Sequence, residues 1–489
     1  MSKSPYTIFC AAFLLAQAAA CQTPPQPLTP DELGRHFVEA VNSSDAALHE
    51  TVAGEVYAPA TVEKMGLQRI AAHFQKLHET FAPLDYHHGE RLEFDKPGGK
   101  SYVLHIYARK QGEVMWQDFQ FYLEPAPPHR IAQLVFVAEV AEPVALPNGS
   151  IEQRETLDWL AGYIEKLERE NDLSGSILIA KGDQAIFEKH WGFADRENAR
   201  KVDAETLFGL ASGSKMFTAA AIVQLMEQGK LKLSDQLTDY FPDFPNRAWA
   251  ERVTLKHLLS HTSGIAEYWT AKNEPVLFQF TDWRQFLPLI YEGGFRFEPG
   301  TESGYSNSNF MLLGAIVEKA GGQDYYTFIE ENILKKAGMT QSGFFDYNQA
   351  DLPLAIPYIR GEGGGWQPNR DKRFKKGSPA GGCYSNAADM LRFCNALKSN
   401  KLVSAESLKQ MTTDWTTGAK DAQPYGLGLI LEKHAQEPTY GHGGTAGGVN
   451  FEFRYFPRQD IALLVFNNQN NGAYDDLKRN ALKLISGAR

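Results

Sequence analysis

One stretch limits what this chain can fold into more than any other. It is Thr218-Ala219-Ala220-Ala221-Ile222-Val223-Gln224-Leu225-Met226-Glu227-Gln228, closed by Gly229. The run is apolar nearly all the way round, so as a helix it belongs inside the protein rather than on it. Gly229 is a fitting left-handed stop just past its end. Ahead of it, Phe208 to Phe217 reads as a loop that turns into the helix at Ser212. Ser212 and Lys215 are three apart and share a helical face. A hydroxyl there gains from the positive end of the helix dipole, and so does the oxyanion formed when it attacks. A lysine buried beside it loses solvation, and its pKa can fall far enough for it to accept a proton. The S-x-x-K pattern is short, and a chain of this composition should contain about one by chance. The remaining stretches decide whether this one carries chemistry.

The chain has 489 residues, room for two or three domains. A net charge of −10 argues against a nucleic-acid partner. Residues 1–20 read as a signal peptide: Lys3, a short apolar stretch from Ile8 to Ala20, then small residues ahead of Cys21. Ala18-Ala19-Ala20-Cys21 resembles a bacterial lipobox, though Ala18 stands where Leu is usual. The expectation is export to the periplasm or cell envelope, with membrane contact only through a lipid on Cys21. Cys383 and Cys394 are expected to be free thiols, and no spacing suggests a metal site.

Residues 21–29, rich in Pro and Gln, form a tether. Residues 30–142 read as a small α+β domain. Asp31 to Val41 and Met65 to Thr80 are its helices, and Lys100 to Arg109, Val114 to Leu123 and Arg130 to Val140 its strands. This order of elements resembles a nuclear transport factor 2-like cone domain. His105, Trp116 and Tyr122 are expected to pack its core, the alternative being the wall of a ligand cavity. Residues 143–149 form a linker. From 150 to 489, a helix (Ile151 to Asn171) and a hairpin (Gly175 to Ala180, Gln184 to Lys189) precede a helical middle from Lys215 to about Lys336. A second hairpin (Asn450 to Phe456, Ile461 to Asn467) and a closing helix (Asp475 to Ile485) follow. Strands at both ends with helices between them predict one antiparallel sheet built from both termini, beside a helical lobe. Gly361 to Gly365 reads as a surface loop, since no strand precedes it and no P-loop lysine follows.

Three further stretches join Ser212 and Lys215. They are Leu258-Leu259-Ser260-His261-Thr262-Ser263-Gly264, Tyr305-Ser306-Asn307 with the helix after it, and Tyr440-Gly441-His442-Gly443-Gly444-Thr445. With these boxes in this order, the last 340 or so residues resemble the serine β-lactamase and penicillin-binding-protein superfamily. The closest branch is that of class C β-lactamase, D-alanyl-D-alanine carboxypeptidase B and D-aminopeptidase. The resemblance implies an acylated nucleophile at Ser212, a proton acceptor at Lys215 and a general base and acid at Tyr305. It implies that Asn307 holds substrate and Lys215, that His442, Gly443, Gly444 and Thr445 form the substrate-binding third box, and that the backbone N–H groups of Ser212 and Thr445 form an oxyanion hole. It also implies a small-molecule or peptide substrate, with no metal and no cofactor. A serine hydroxyl needs a base to remove its proton, and tyrosine acts as one only if a cation such as Lys215 lowers its pKa.

A second Y-x-N, Tyr384-Ser385-Asn386, resembles the family's structural loop instead. Ser263 and His261 are two apart, do not face each other on a helix, and are read as structural. No G-x-S-x-G elbow supports an α/β-hydrolase. His442 stands where β-lactamases and many DD-peptidases have a lysine that helps bind a substrate carboxylate. An unperturbed histidine is only about a quarter charged at pH 7. The expectation is therefore poor penicillin turnover and a preference for peptides, amides or esters without an essential carboxylate. Tyr268, Trp269, Phe278, Phe280 and Trp283 read chiefly as packing, with Trp269 the candidate for a cleft wall. Two functions remain open: an exported serine hydrolase, and a catalytically weak protein that binds cell-wall peptides.

Overall fold

A computed structural model describes residues 28–487, apart from 97–98, 114, 128, 348, 350, 362–364, 371–373 and 421. The signal peptide, Cys21 and most of the tether lie outside the described residues, as does the middle of the glycine-rich loop. The chain divides into two compact units between Pro143 and Val144. No helix among the described residues is long and apolar enough to cross a membrane.

Among the described residues the first unit has four helices, α1 (Pro30–Asn42), α2 (Ala46–Val56), α3 (Pro59–Met65) and α4 (Leu67–Phe81). Four antiparallel strands follow: β1 (Leu84–Lys96), β2 (Gly99–Lys110), β3 (Trp116–Leu123) and β4 (Ile131–Val140), paired in that order. Thr29 starts α1 with a capping box closed by Glu32. Phe37, Phe74, Phe119 and Phe121 form the core with Leu104 and Ile106. Side chains alternate across a strand, which puts His105 and Tyr107 on the other face of β2. There His105 bonds the buried Asp118 carboxylate at 2.9 Å. Trp116 packs with Tyr107 and Val140, and Tyr122 is exposed. None of the three residues expected in the core joins the cluster under the helices.

In the second unit, α5 (Arg154–Asn171) precedes β5 (Gly175–Lys181) and β6 (Gln184–Trp191). The nucleophile helix is α6 (Lys215–Glu227), and α7 is Asn307–Gly321. The chain closes with β7 (Ile430–His434), β8 (Glu437–Ala446), β9 (Val449–Phe456), β10 (Ile461–Asn467) and α8 (Gly472–Ser486). The six strands form one antiparallel sheet in the order β7-β8-β9-β10-β5-β6, so the two ends of the unit meet where β10 pairs with β5. Every residue of β10 is buried, which explains its unbroken apolar run. Helix α6 is buried at every position from Lys215 to Leu225, as its composition required. It does not begin at Ser212. A short 3-10 turn, Ala211–Ser214, carries the serine and leads into it.

Candidate active site

The turn that presents Ser212 is strained and tightly held. Ala211, just before it, has φ +42°, a conformation that costs a non-glycine residue about 1–3 kcal/mol. The Ser214 hydroxyl and the Gly382 N–H both donate to the Ala211 carbonyl, at 3.0 and 3.1 Å, and fix it there. Strand β8 presses against the same turn. A Cβ on Gly444 would stand 2.2 Å from the Leu210 oxygen and 2.8 Å from the Ser212 nitrogen. Glycine at 444 is what lets the third box lie beside the nucleophile. The Gly441-His442-Gly443-Gly444 stretch is thus part of a strand, not only a lead into the last hairpin.

Lys215 is fully buried. Its Nζ lies 3.0 Å from Ser212 Oγ, 2.7 Å from Asn307 Oδ1 and 2.6 Å from the Ala380 carbonyl. Burial pulls its pKa down to about 7, against a smaller upward pull from Glu267. Half the amines are therefore neutral near neutral pH. Two of the three neighbours are carbonyl oxygens, which only accept, so both N–H bonds of the neutral amine point at them. The remaining lone pair faces the third neighbour, the Ser212 hydroxyl.

Tyr305 lies across the lysine, with Nζ 4.9 Å from the centre of its ring, and lines the cleft together with Ser212. The ring borders open space and is 45% exposed. Desolvation around the hydroxyl raises its pKa above the usual tyrosine value, and the Glu267 charge adds to this. The expectation that Lys215 holds the phenol as an anion is not met. A half-neutral lysine is a weak counter-charge, and the resting site contains a neutral phenol that can donate.

The L-L-x-H-T-S-G box supports this arrangement from behind. His261 Nδ1 accepts from the Ser306 N–H and the Asn309 amide, each at 3.2 Å. Ser263 donates to Asn309 Oδ1 at 2.6 Å rather than pairing with His261. Together they fix the start of α7, and with it Tyr305 and Asn307. Tyr384 pairs with Gly209 in a two-residue bridge, and Asn386 caps the next helix.

His442 is 1% exposed, and burial drops its pKa to about 3, so it is neutral. Its Nδ1–H donates to the Gly443 carbonyl, and Nε2 accepts from the Tyr425 hydroxyl at 2.9 Å. Both nitrogens are committed within the protein. Among the described residues that line the cleft beside Ser212, about 440 Å³ in volume, there is no Lys, Arg or His. Its far wall is aromatic. Trp269, 36% exposed, meets Phe278 and Phe374 edge-on at 5.7 and 5.2 Å. Tyr268 also lines the cleft, whereas Phe280 packs on Phe286 and Trp283 is buried in the core. Thr445 and Ser212 open onto the same cleft.

Glu267, the Ala380 carbonyl, Tyr425 and Phe374 took no part in the sequence reading. Glu267 follows Gly264 by three residues in an irregular segment, where no periodicity assigns it a direction.

The Beta-lactamase family model matches residues 161–488. The chain is 29% identical over 341 residues to a protein of Bacillus subtilis (strain 168) provisionally named penicillin-binding protein PbpX, covering 69% of this chain and 81% of that one. It is 28% identical over 364 residues to an Escherichia coli (strain K12) protein provisionally named D-alanyl-D-alanine carboxypeptidase, covering 64% of this chain and 82% of that one. Among solved structures, a penicillin-binding protein from Bacillus halodurans superposes with a TM-score of 0.59. It is 32% identical, over 65% of this chain and 97% of that chain.

Proposed function

Since this chain belongs to the beta-lactamase family and is a serine hydrolase of the penicillin-binding type, we propose that it cleaves amide or ester bonds in neutral acyl substrates through an acyl-enzyme on Ser212. D-Amino-acid amides and peptides are the first class to test, given the carboxypeptidase name of one relative. The observation that carries the reading is the position of Lys215 Nζ, 3.0 Å from Ser212 Oγ with carbonyl oxygens as its other two polar neighbours. Lys215 takes the Ser212 proton as Oγ bonds to the substrate carbonyl carbon. The backbone N–H groups of Ser212 and Thr445 receive the resulting oxyanion. The Tyr305 phenol gives its proton to the leaving nitrogen or oxygen as that bond breaks, and the Lys215 ammonium beside it reprotonates the phenolate directly, the acylated Ser212 oxygen having no proton to relay. Water then enters by the reverse route, losing its proton to the same groups and releasing the acid and Ser212. General acid–base help of this kind contributes roughly a hundred- to ten-thousandfold.

The substrate preference rests on the neutral, inward-bonded His442 and on a described cleft lining without cationic side chains. An essential substrate carboxylate would find no counter-charge among the described lining residues. The test is a panel of D-phenylalanine amide, D-alanyl-D-alanine peptides, p-nitrophenyl esters and benzylpenicillin. The amide or ester should turn over, and benzylpenicillin should stay well below a kcat/KM of ~10⁴ M⁻¹ s⁻¹. Penicillin turnover at ordinary enzyme efficiency would refute the preference. The reading extends to an exported, lipid-anchored protein, supported by the leader-like residues 1–20 before Cys21. Labelling with radioactive palmitate, lost in Cys21→Ala, tests it.

A further inference from the structure

The orientation of the Asn307 amide decides where the Lys215 lone pair points, and the structure shows what sets that orientation. Glu267 Oε2 accepts from the Asn307 backbone N–H at 2.6 Å and from Asn307 Nδ2 at 3.1 Å, while Oε1 accepts from the Trp269 N–H at 3.0 Å. A carboxylate can only accept, so the NH₂ of Asn307 must face Glu267 and its oxygen must face Lys215. In the flipped amide, Oδ1 would sit against a carboxylate oxygen. Its Nδ2–H would then face Lys215 and draw the lone pair away from Ser212.

We infer that Glu267 is a positioning residue of this active site: it locks the Asn307 amide so that the Lys215 lone pair meets the nucleophile. Its charge has a second effect. The groups around Lys215 are Ser212, Tyr305 and Asn307, with His261 and Glu267 from the segment before α7 and His442 from β8. Burial keeps both histidines neutral and Tyr305 protonated, so Glu267 supplies the negative charge. That charge favours the ammonium form of Lys215, and its removal lowers the pH at which the amine becomes neutral.

This inference rests on the hydrolase reading, and the experiment separates the two. The rate of Ser212 modification by a fluorophosphonate is followed from pH 5 to 9, which needs no knowledge of the natural substrate. In the parent protein the rate should rise through a midpoint near the Lys215 pKa of about 7. Glu267→Gln, or Glu267→Ala if the glutamine variant does not fold, should react at least tenfold more slowly on the plateau, with a midpoint lower by about half a unit or more. Glu267→Asp keeps the charge and should keep the parental midpoint. A slower variant with an unmoved midpoint would mean that Glu267 only braces the loop, and would overturn the inference. So would an aspartate variant that shifts as far as the glutamine one. Absence of any Ser212 adduct in the parent would remove the hydrolase reading itself.

Discussion

A neutral amine has three polar directions to satisfy besides its own carbon, and at Lys215 two of them are fixed by carbonyl oxygens. What remains is a base pointed at Ser212, with a pKa of about 7. The pH dependence follows from the sign of that shift. Lys215 works as a base only when neutral, so kcat/KM should fall as pH drops below about 7, roughly tenfold per unit well below the midpoint. The opposing limb belongs to the Tyr305 phenol, raised above its usual value, and should appear only in strongly alkaline solution. Lys215→Arg keeps a cation but removes the base, because guanidinium does not deprotonate in this range. It should lose a hundredfold or more in kcat while remaining folded, as read by circular dichroism and steady-state rates. An arginine variant of near-parental activity would show that charge alone is what the position needs.

The elements that hold this site are of two kinds, and only one is legible as pattern. Helix α6 follows from an all-round apolar run, and β10 from Ile461 to Asn467 was read with its observed bounds. Strands β7 and β8 were missed. Three glycines in Gly441-His442-Gly443-Gly444 carry no strand signal, and the stretch is extended because β9 pairs with it along its length, β7 joining only at Gly441. Strand β1 was missed for a related reason: its charged and histidine-rich sequence sits at a sheet edge. In the site itself, the boxes pointed to Ser212, Lys215, Tyr305 and Asn307, which the fold brings together. Glu267 and the Ala380 carbonyl act through tertiary contacts that no spacing reveals. Gly444 gives the element-scale test. Gly444→Ala places a methyl on the nucleophile turn, so Ser212 must move by a sizeable fraction of an ångström. The expected result is about a hundredfold loss of kcat. The thermal midpoint should fall by only a few degrees, so rate and melting data together distinguish a displaced nucleophile from a broken fold.

At the scale of the whole molecule, the two units have separate cores. The first is built from residues between Leu33 and Ile131, and the main core of the second from residues between Leu178 and Phe466. Each of these clusters of described residues is built within its own unit, so residues 144–489 should fold alone and keep at least half of the parental rate towards a p-nitrophenyl ester. A fragment that is folded but inactive would show that the first unit contributes to the reaction. The central claim, one hydroxyl activated by one amine, is tested most directly by mapping the adduct after brief fluorophosphonate treatment at pH 8. The account predicts a single modified peptide, carrying Ser212, absent in Ser212→Ala and formed at least a hundredfold more slowly in Lys215→Ala. An adduct on Ser263, or one that forms on Ser212 just as fast without Lys215, would contradict it.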